Sequence, residues 1–169
     1  MSKPIRVEIV MGSKSDLEKV KPAAIMLKDL GIPCRVSIYS AHRTLTELID
    51  FIHSDINVVT CEGVIAAAGM SAALAGIIAA ETLKPVIALP LSGGKYKGIE
   101  AVLASMEMPP GNPVPTVGID AAKNAALSMA RIIANHDEEV YRNLSNFKSK
   151  QKEAVLADNA ELQTTFTFE

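Results

Sequence analysis

IRVEIVMGSKSD, Ile5 to Asp16, and IPCRVSIYSAHRT, Ile32 to Thr44, decide the fold class of this chain between them. In the first, a short apolar, β-branched run reaches Met11 and stops at Gly12. The Ser, Lys and Asp that follow lead into an amphipathic segment, so the order is strand, loop, helix. Leu17, Val20, Ala24 and Leu27 share one helical face, Ser15 and Glu18 have capping-box spacing, and Lys28 with Gly31 marks the end. Pro22 lacks a donor, so a start after Asp16 or a bend near Lys21 is expected. The second stretch repeats the unit: a strand from Ile32 to Tyr39, the loop SAHRT, then a helix with Leu45, Leu48, Ile49 and Ile52 on one face. Thr44 and Glu47 have capping-box spacing there too.

Working outward, the alternation continues. Ile56 to Thr60 has strand-like residues, but Val64 to Ala67, just before Gly69, is the favoured third strand, with the earlier run a helix end or irregular approach. Ser71 to Glu81 is a small-residue helix. Pro85 to Leu91 is a nearly all-apolar strand suited to a parallel sheet covered on both faces. SGGKYKG precedes a helix around Ile99 to Ser105. MPPGNPVP, Met108 to Pro115, excludes regular structure because proline removes donors and restricts its predecessor. Thr116 to Ile119 is expected as a fifth strand and Ala121 to Ala134 as a further helix. These alternating units with short connections specify an α/β three-layer sandwich with a five-stranded parallel sheet and right-handed crossovers. After His136 the chain is more polar and helical through about Asn159, and the sparse apolar residues Tyr141, Leu144, Phe147, Val155 and Leu156 suit packing on a neighbouring subunit or an exposed helix on a monomer.

With 169 residues, 49% of them hydrophobic and 21% charged, one domain spanning 1–169 is expected, without metals or disulfides to hold it. Ala66 to Ala80 is the nearest approach to a bilayer span, but it is too short and is broken by Gly69, Ser71 and Gly76. MSKPIRVEIVMG lacks the features of an export signal, and Cys34 and Cys61 form no CxxC pair, so a reducing, cytoplasmic setting is expected. A formal net charge of −2 provides no basic field for nucleic acid, though a local patch could hold a phosphorylated small molecule.

In an open parallel sheet, ligands bind where loops leave the carboxyl ends of strands, and GSKSD and SAHRT both stand there. Gly12 permits close backbone approach, while the Ser13 and Ser15 hydroxyls and the amides at the helix start can surround phosphate oxygens. Asp16 suits a ribose hydroxyl better than phosphate. GSKSD equally fits capping and turn duties. His42 offers proton exchange near neutral pH, or a structural hydrogen bond. Its neighbour Arg43 offers bidentate binding of a carboxylate or phosphate. His53 and His136 are read as solvated or capping, no metal-ligand spacing stands out, and both cysteines read as inert thiols. Ser92, Gly93 and Gly94 form a flexible entrance with Lys95 and Lys97 as anion contacts or a solvated pair. Met106 and Met108 are an apolar wall for a flat ring or core packing. Asn124 is an oligomer contact or site support.

Taken together, MGSKSD at Met11 to Asp16, SAHRT at Ser40 to Thr44, MPPGNPVPTVGI at Met108 to Ile119 and KNAAL at Lys123 to Leu127 resemble the PurE family of purine biosynthesis, in order and nearly in spacing, along residues 5–157. The resemblance implies a flavodoxin-like domain assembled as a homo-octamer, with active sites at subunit boundaries and residues 136–160 as an oligomer-packing helix. It implies binding of aminoimidazole ribonucleotide by Gly12, Ser13, Ser15, Asp16, Ser40, Ala41 and Arg43, with Gly69, Met70, Ser71, Ala73 and Leu74 in the third loop. His42 matches the family's catalytic histidine, and neither metal nor organic cofactor is implied.

The family contains two activities. A mutase moves the carboxylate of N5-carboxyaminoimidazole ribonucleotide to ring carbon C4, with carbon dioxide as intermediate. The other type carboxylates aminoimidazole ribonucleotide with carbon dioxide as substrate. SAHRT is similar to the mutase branch, whereas the direct carboxylases usually read SAHK. Mutases usually carry GAAHLPG, and here the aligned stretch, Ala67 to Gly76, reads AAGMSAALAG, with Ala73 at the histidine position and Ala75 at the proline position. That stretch is closer to the AGRSNALSG of the carboxylases, from which Met70 and Ala72 depart. The mutase is the leading expectation; direct carboxylation, a divergent relative acting on another heteroaromatic ribonucleotide, and a non-catalytic module follow.

Overall fold

The computed structural model describes residues 6–58 and 61–166. Four strands, β1 (Val7–Met11), β2 (Cys34–Ile38), β3 (Gly63–Gly69) and β4 (Val86–Leu91), form one sheet in the order β2-β1-β3-β4. Every ladder is parallel, with Met11 opposite Ile38 and Ala67, and Ala67 opposite Leu89. These are the first four places of the flavodoxin-like order.

Side-chain alternation sends each strand's residues to two different layers. Val7, Ile9 and Met11 of β1, Ile65 and Ala67 of β3 and Ile87 and Leu89 of β4 join one core with α1 (Leu17–Asp29), α5 (Ala122–Ile133) and the start of α6 (Glu138–Thr165). Val10, Val64, Ala66 and Ala88 join the other, with α2 (Leu45–Phe51), the single π-helical turn Ile52–Ile56 that continues it, and α3 (Leu74–Glu81). Each fully buried Ile or Leu on these faces contributes roughly 1.5–3 kcal/mol relative to exposure. The eighth residue breaks the apolar run on purpose: Glu8 is buried, but its carboxylate accepts from Arg35 Nε at 2.8 Å and Ser37 Oγ at 2.6 Å on β2. Burial pushes this carboxyl above the usual range, against those two bonds. Arg35 in turn lies over the Phe51 ring, 5.1 Å from its centroid.

The expected fifth strand is not formed. Thr116 makes one parallel bridge with Ala88, supported by Ala88 N to Pro115 O at 2.9 Å and Val117 N to Ala88 O at 3.1 Å. The ladder stops there because its next bond would need an N–H from Pro90 of β4, which has none, and the chain turns away at Asp120, whose φ is 55°. The third strand is where Val64 to Ala67 placed it. Of the rival run Ile56 to Thr60, Ile56 ends the π turn, and residues 59–60 lie outside the described set, as does Ile5.

Neither capping box forms. Ser13 introduces a single 3-10 turn, Lys14–Asp16, by accepting from Ser15 N at 3.3 Å and Ser15 Oγ at 2.9 Å, and α1 then begins at Leu17. Thr44 precedes α2 but turns its hydroxyl backwards. Local hydroxyl-to-backbone bonds win over the helix-start alternative in both loops. Pro22 stays inside α1, six residues in, where the helix continues to Asp29. The last helix, α6, runs beyond the expected Asn159 to Thr165, and α4 occupies Ile99–Met106.

α6 is fastened at its start by a charge cluster. Asp137 caps it through Val140 N at 3.0 Å and accepts from Arg6 Nη1 at 2.7 Å; Arg6 also pairs with Glu62, which lies 2.6 Å from His136 Nε2. Burial raises the Glu62 carboxyl, but Arg6 and His136 outweigh it and hold the group below its ordinary 4.5. A carboxyl lowered in the folded state gives stability above its unfolded pKa that is lost as pH falls through the folded value. Glu62→Gln should therefore flatten the decline in unfolding free energy between about pH 5 and pH 3 relative to the parent, read by urea titration; parallel declines would show that the pair contributes nothing.

Candidate active site

Because the ladders are in register, the four loops after β1, β2, β3 and β4 leave the sheet side by side and enclose a cleft of about 540 Å³, within the range of small-molecule sites. The first loop supplies Gly12, Ser13, Ser15 and Asp16, and Lys19 follows in the first turn of α1. The second supplies Ser40, Ala41, His42 and Arg43; the third Ala68, Gly69, Met70, Ser71, Ala73 and Leu74; the fourth Ser92, Gly93 and Gly94.

The second loop is closed on itself. Tyr39 extends the ladder to Met11 O at 3.0 Å and stacks on Phe51 with centroids 4.5 Å apart, which fixes where the loop begins. Ser40 N then donates to Thr44 Oγ1 at 2.8 Å, while Arg43 N and Thr44 N donate to Ser40 O at 3.2 and 2.9 Å. His42 sits at the tip, exposed, with no hydrogen bond to another described residue. Arg43 reaches across to the first loop, donating to Gly12 O at 3.1 Å and to Ser40 Oγ at 3.3 Å. Gly12 is placed where a Cβ would meet only Asp16 Oδ2, at 3.9 Å, so the backbone there is open to the cleft.

Asp16 is the cleft's acidic group. Burial pushes its carboxyl up, partly offset by the bond from the Ser13 backbone and by the charges of Lys19 and Arg43. In the third loop Met70 adopts φ 53°, and α3 begins after Ala73 without a side-chain cap, so its first amides lack an intrahelical partner at the cleft wall. Among the described residues, no three His, Cys, Asp or Glu side chains come together in a way that would hold a metal ion, and no helix is long and apolar enough to cross a membrane.

The family model described as AIR carboxylase matches residues 6–154. The chain belongs to that family. A Methanocaldococcus jannaschii protein named N5-carboxyaminoimidazole ribonucleotide mutase is 40% identical over 158 residues, covering 94% of this chain and 98% of its own. The Escherichia coli protein of that name is 40% identical over 156 residues, covering 90% and 91%. A Saccharomyces cerevisiae protein named phosphoribosylaminoimidazole carboxylase is 38% identical over 164 residues, which is 97% of this chain and 28% of that longer protein. In three dimensions, PurE of Treponema denticola superposes with a TM-score of 0.86 at 29% identity, covering 93% of this chain and 98% of that one.

Within this AIR carboxylase domain, the loop residues read from the sequence all border one cleft. Other expectations fall elsewhere. Lys95 and Lys97 are exposed and do not line it; Met106 is exposed, Met108 packs against Gly76 and the second core, and Asn124 is exposed on α5. His53 pairs with Glu81 at 2.9 Å, away from the cleft. Sequence reading missed Lys19 and Asp120. Lys19 stands three and four residues beyond Asp16 and Ser15, on the helical face that continues the first loop, a spacing that could have revealed it. Asp120 had no such signal, because it follows a segment read as a strand. Replacing Thr44 with Val should remove the acceptor for Ser40 N and cost about 1 kcal/mol in stability, measured by denaturant titration; an unchanged midpoint would show that the Ser40–Thr44 closure is not stabilising.

Proposed function

We propose that this chain is an N5-carboxyaminoimidazole ribonucleotide mutase of de novo purine biosynthesis. The observation that carries the reading is the convergence, in an AIR carboxylase domain, of an unengaged imidazole on one loop with a hydroxyl-rich, arginine-braced loop beside it. The relatives bearing the mutase name at 40% identity support the reaction. In this reading Ser13, Ser15 and Arg43 take the phosphate of the ribonucleotide, with Asp16 on a ribose hydroxyl and Ser40 and Ala41 alongside. Gly69, Met70, Ser71, Ala73 and Leu74 face the heterocycle.

His42 is the acid and the base. Protonated, it gives its proton to the exocyclic nitrogen as the N–C bond to the carboxylate breaks, releasing carbon dioxide and leaving neutral aminoimidazole ribonucleotide. Carbon C4, electron-rich through the ring amine, attacks carbon dioxide, forming the new C–C bond; neutral His42 then removes the C4 proton and restores aromaticity. The proton returns to where it started, so one imidazole serves both sequential steps. Confinement by the four loops keeps carbon dioxide near C4, and fixed donors stabilise the new carboxylate. The enzyme would work in the cytoplasm as an octamer of single-domain chains, with α6 contributing to packing between them.

A second reading, direct carboxylation of aminoimidazole ribonucleotide, is favoured by one observation: Ala73, not an imidazole, lines the third-loop wall. Purified protein given N5-carboxyaminoimidazole ribonucleotide, and separately aminoimidazole ribonucleotide with bicarbonate, decides between them through the product spectrum. Turnover of the first alone is expected; turnover of the second alone would establish the carboxylase. His42→Asn should lower kcat by about 10²–10⁴-fold while nucleotide affinity changes little, and retained turnover would remove His42 from the chemistry.

A further inference from the structure

The β4 side of the cleft carries a network that the mechanism above leaves unused. Lys19 crosses from α1 to the fourth loop, donating to Ser92 O and, at 2.6 Å, to Ser92 Oγ. Ser92 Oγ donates to Asp120 Oδ2 at 2.5 Å, and Ser92 N donates to Asp120 Oδ1 at 2.9 Å. Both Asp120 oxygens are thus taken by Ser92, and the ammonium stands 3.8 Å from Oδ1, beyond hydrogen-bond range. Asp120 is held in this role at φ 55°, with its own N–H on Pro90 O at 2.9 Å. A lysine has three N–H donors, and Ser92 uses two. The third is left over on a residue that lines the cleft.

We infer that Lys19, clamped by Ser92 and Asp120, holds the carboxylate that the reaction places on the imidazole; this rests on the function proposed above. Among the described residues that line the cleft, Arg43 is the other permanent cation, and its bonds to Gly12 O and Ser40 Oγ keep it at the β1 and β2 loops. Ser92 follows β4 directly, and β4 lies three strand spacings from β2, or about 14 Å across the sheet. The substrate is anionic at both ends, with phosphate on the sugar and carboxylate on the ring. Arg43 and the Ser13–Ser15 turn serve the first, so the cation at the far side meets the second. Met70 and Ala73 on the intervening wall bring no charge of their own. Gly93 has open space where a Cβ would stand, and the uncapped start of α3 adds amides that favour an anion at the same wall. Lys19 is then a specificity-determining residue, distinguishing the carboxylated nucleotide from its decarboxylated form.

Calorimetric titration of the full chain with aminoimidazole ribonucleotide and with 4-carboxy-5-aminoimidazole ribonucleotide tests this. For Lys19→Met, affinity for the carboxylated nucleotide should fall about 10-fold or more, as expected when a charge-assisted contact is lost, while that for the uncarboxylated one stays within about two-fold; Lys19→Arg should restore most of the difference. Ser92→Ala keeps the charge but removes its clamp, so a smaller selective loss is expected, and this variant carries the test if Lys19→Met does not fold. Equal losses for both nucleotides, or no loss for either, overturn the inference while leaving the mutase reading intact. A parent protein that binds neither nucleotide overturns both.

Discussion

Everything at the cleft depends on parallel register. Met11, Ile38, Ala67 and Leu89 stand opposite one another across the sheet, so four chain segments reach the same edge within a residue or two and must turn there together. A one-residue slip of β1 would exchange the faces of Val7, Ile9 and Met11 with those of Glu8 and Val10, placing a carboxylate in the α1–α5 core. Glu8 thus helps fix the register: its partners Arg35 and Ser37 lie on one face of β2, and only one alignment satisfies the buried acid. The charge that looks like an error in an apolar strand is a constraint on where the loops begin.

The loops then differ in how they are stiffened. The second is braced by an aromatic stack at its start and by Thr44 at its end, leaving His42 at the tip of a closed turn. The first is held by the Ser13–Ser15 pair and the bond from Asp16 N to Ser13 O at 3.1 Å, with Arg43 of its neighbour bracing it. The fourth is glycine-rich and is held instead from outside, by Lys19 and Asp120. These three loops are therefore positioned partly by residues belonging to other elements, and a single loop peptide would not hold its cleft geometry.

That division explains what could be read from the sequence. The four strands and six helices were legible because each has its own period and its own punctuation, such as Gly12 after β1 and the uninterrupted VIALPL of β4. The fold class and the candidate residues of the first two loops followed, since a loop after a parallel strand can go to only one edge; those of the third loop came from the family resemblance. The fifth strand was overread because Thr116 to Ile119 is apolar and β-branched, while the missing N–H of Pro90 on the neighbouring strand acts on pairing rather than on propensity. The capping boxes were overread because the spacing of Ser15 and Glu18 cannot show that Ser13, two residues earlier, claims the same amide. Family resemblance, not period or spacing, distinguished His42 from the structural histidines.

The cleft's charge arrangement gives the remaining step. Asp16 lies between Lys19 and Arg43, and burial raises its carboxyl while both cations oppose that rise. A phosphate placed directly against Asp16 would remove that support and set two anions in a site of reduced polarity, where their repulsion is less screened than in water. A neutral hydroxyl has no such conflict: it donates to the carboxylate and leaves both cations to the anions at either side. The order along the cleft, cation, acid, cation, therefore suits a ligand whose own order is anion, hydroxyl, anion. A carboxylated ribonucleotide has that order, and a plain nucleoside or an inorganic anion does not.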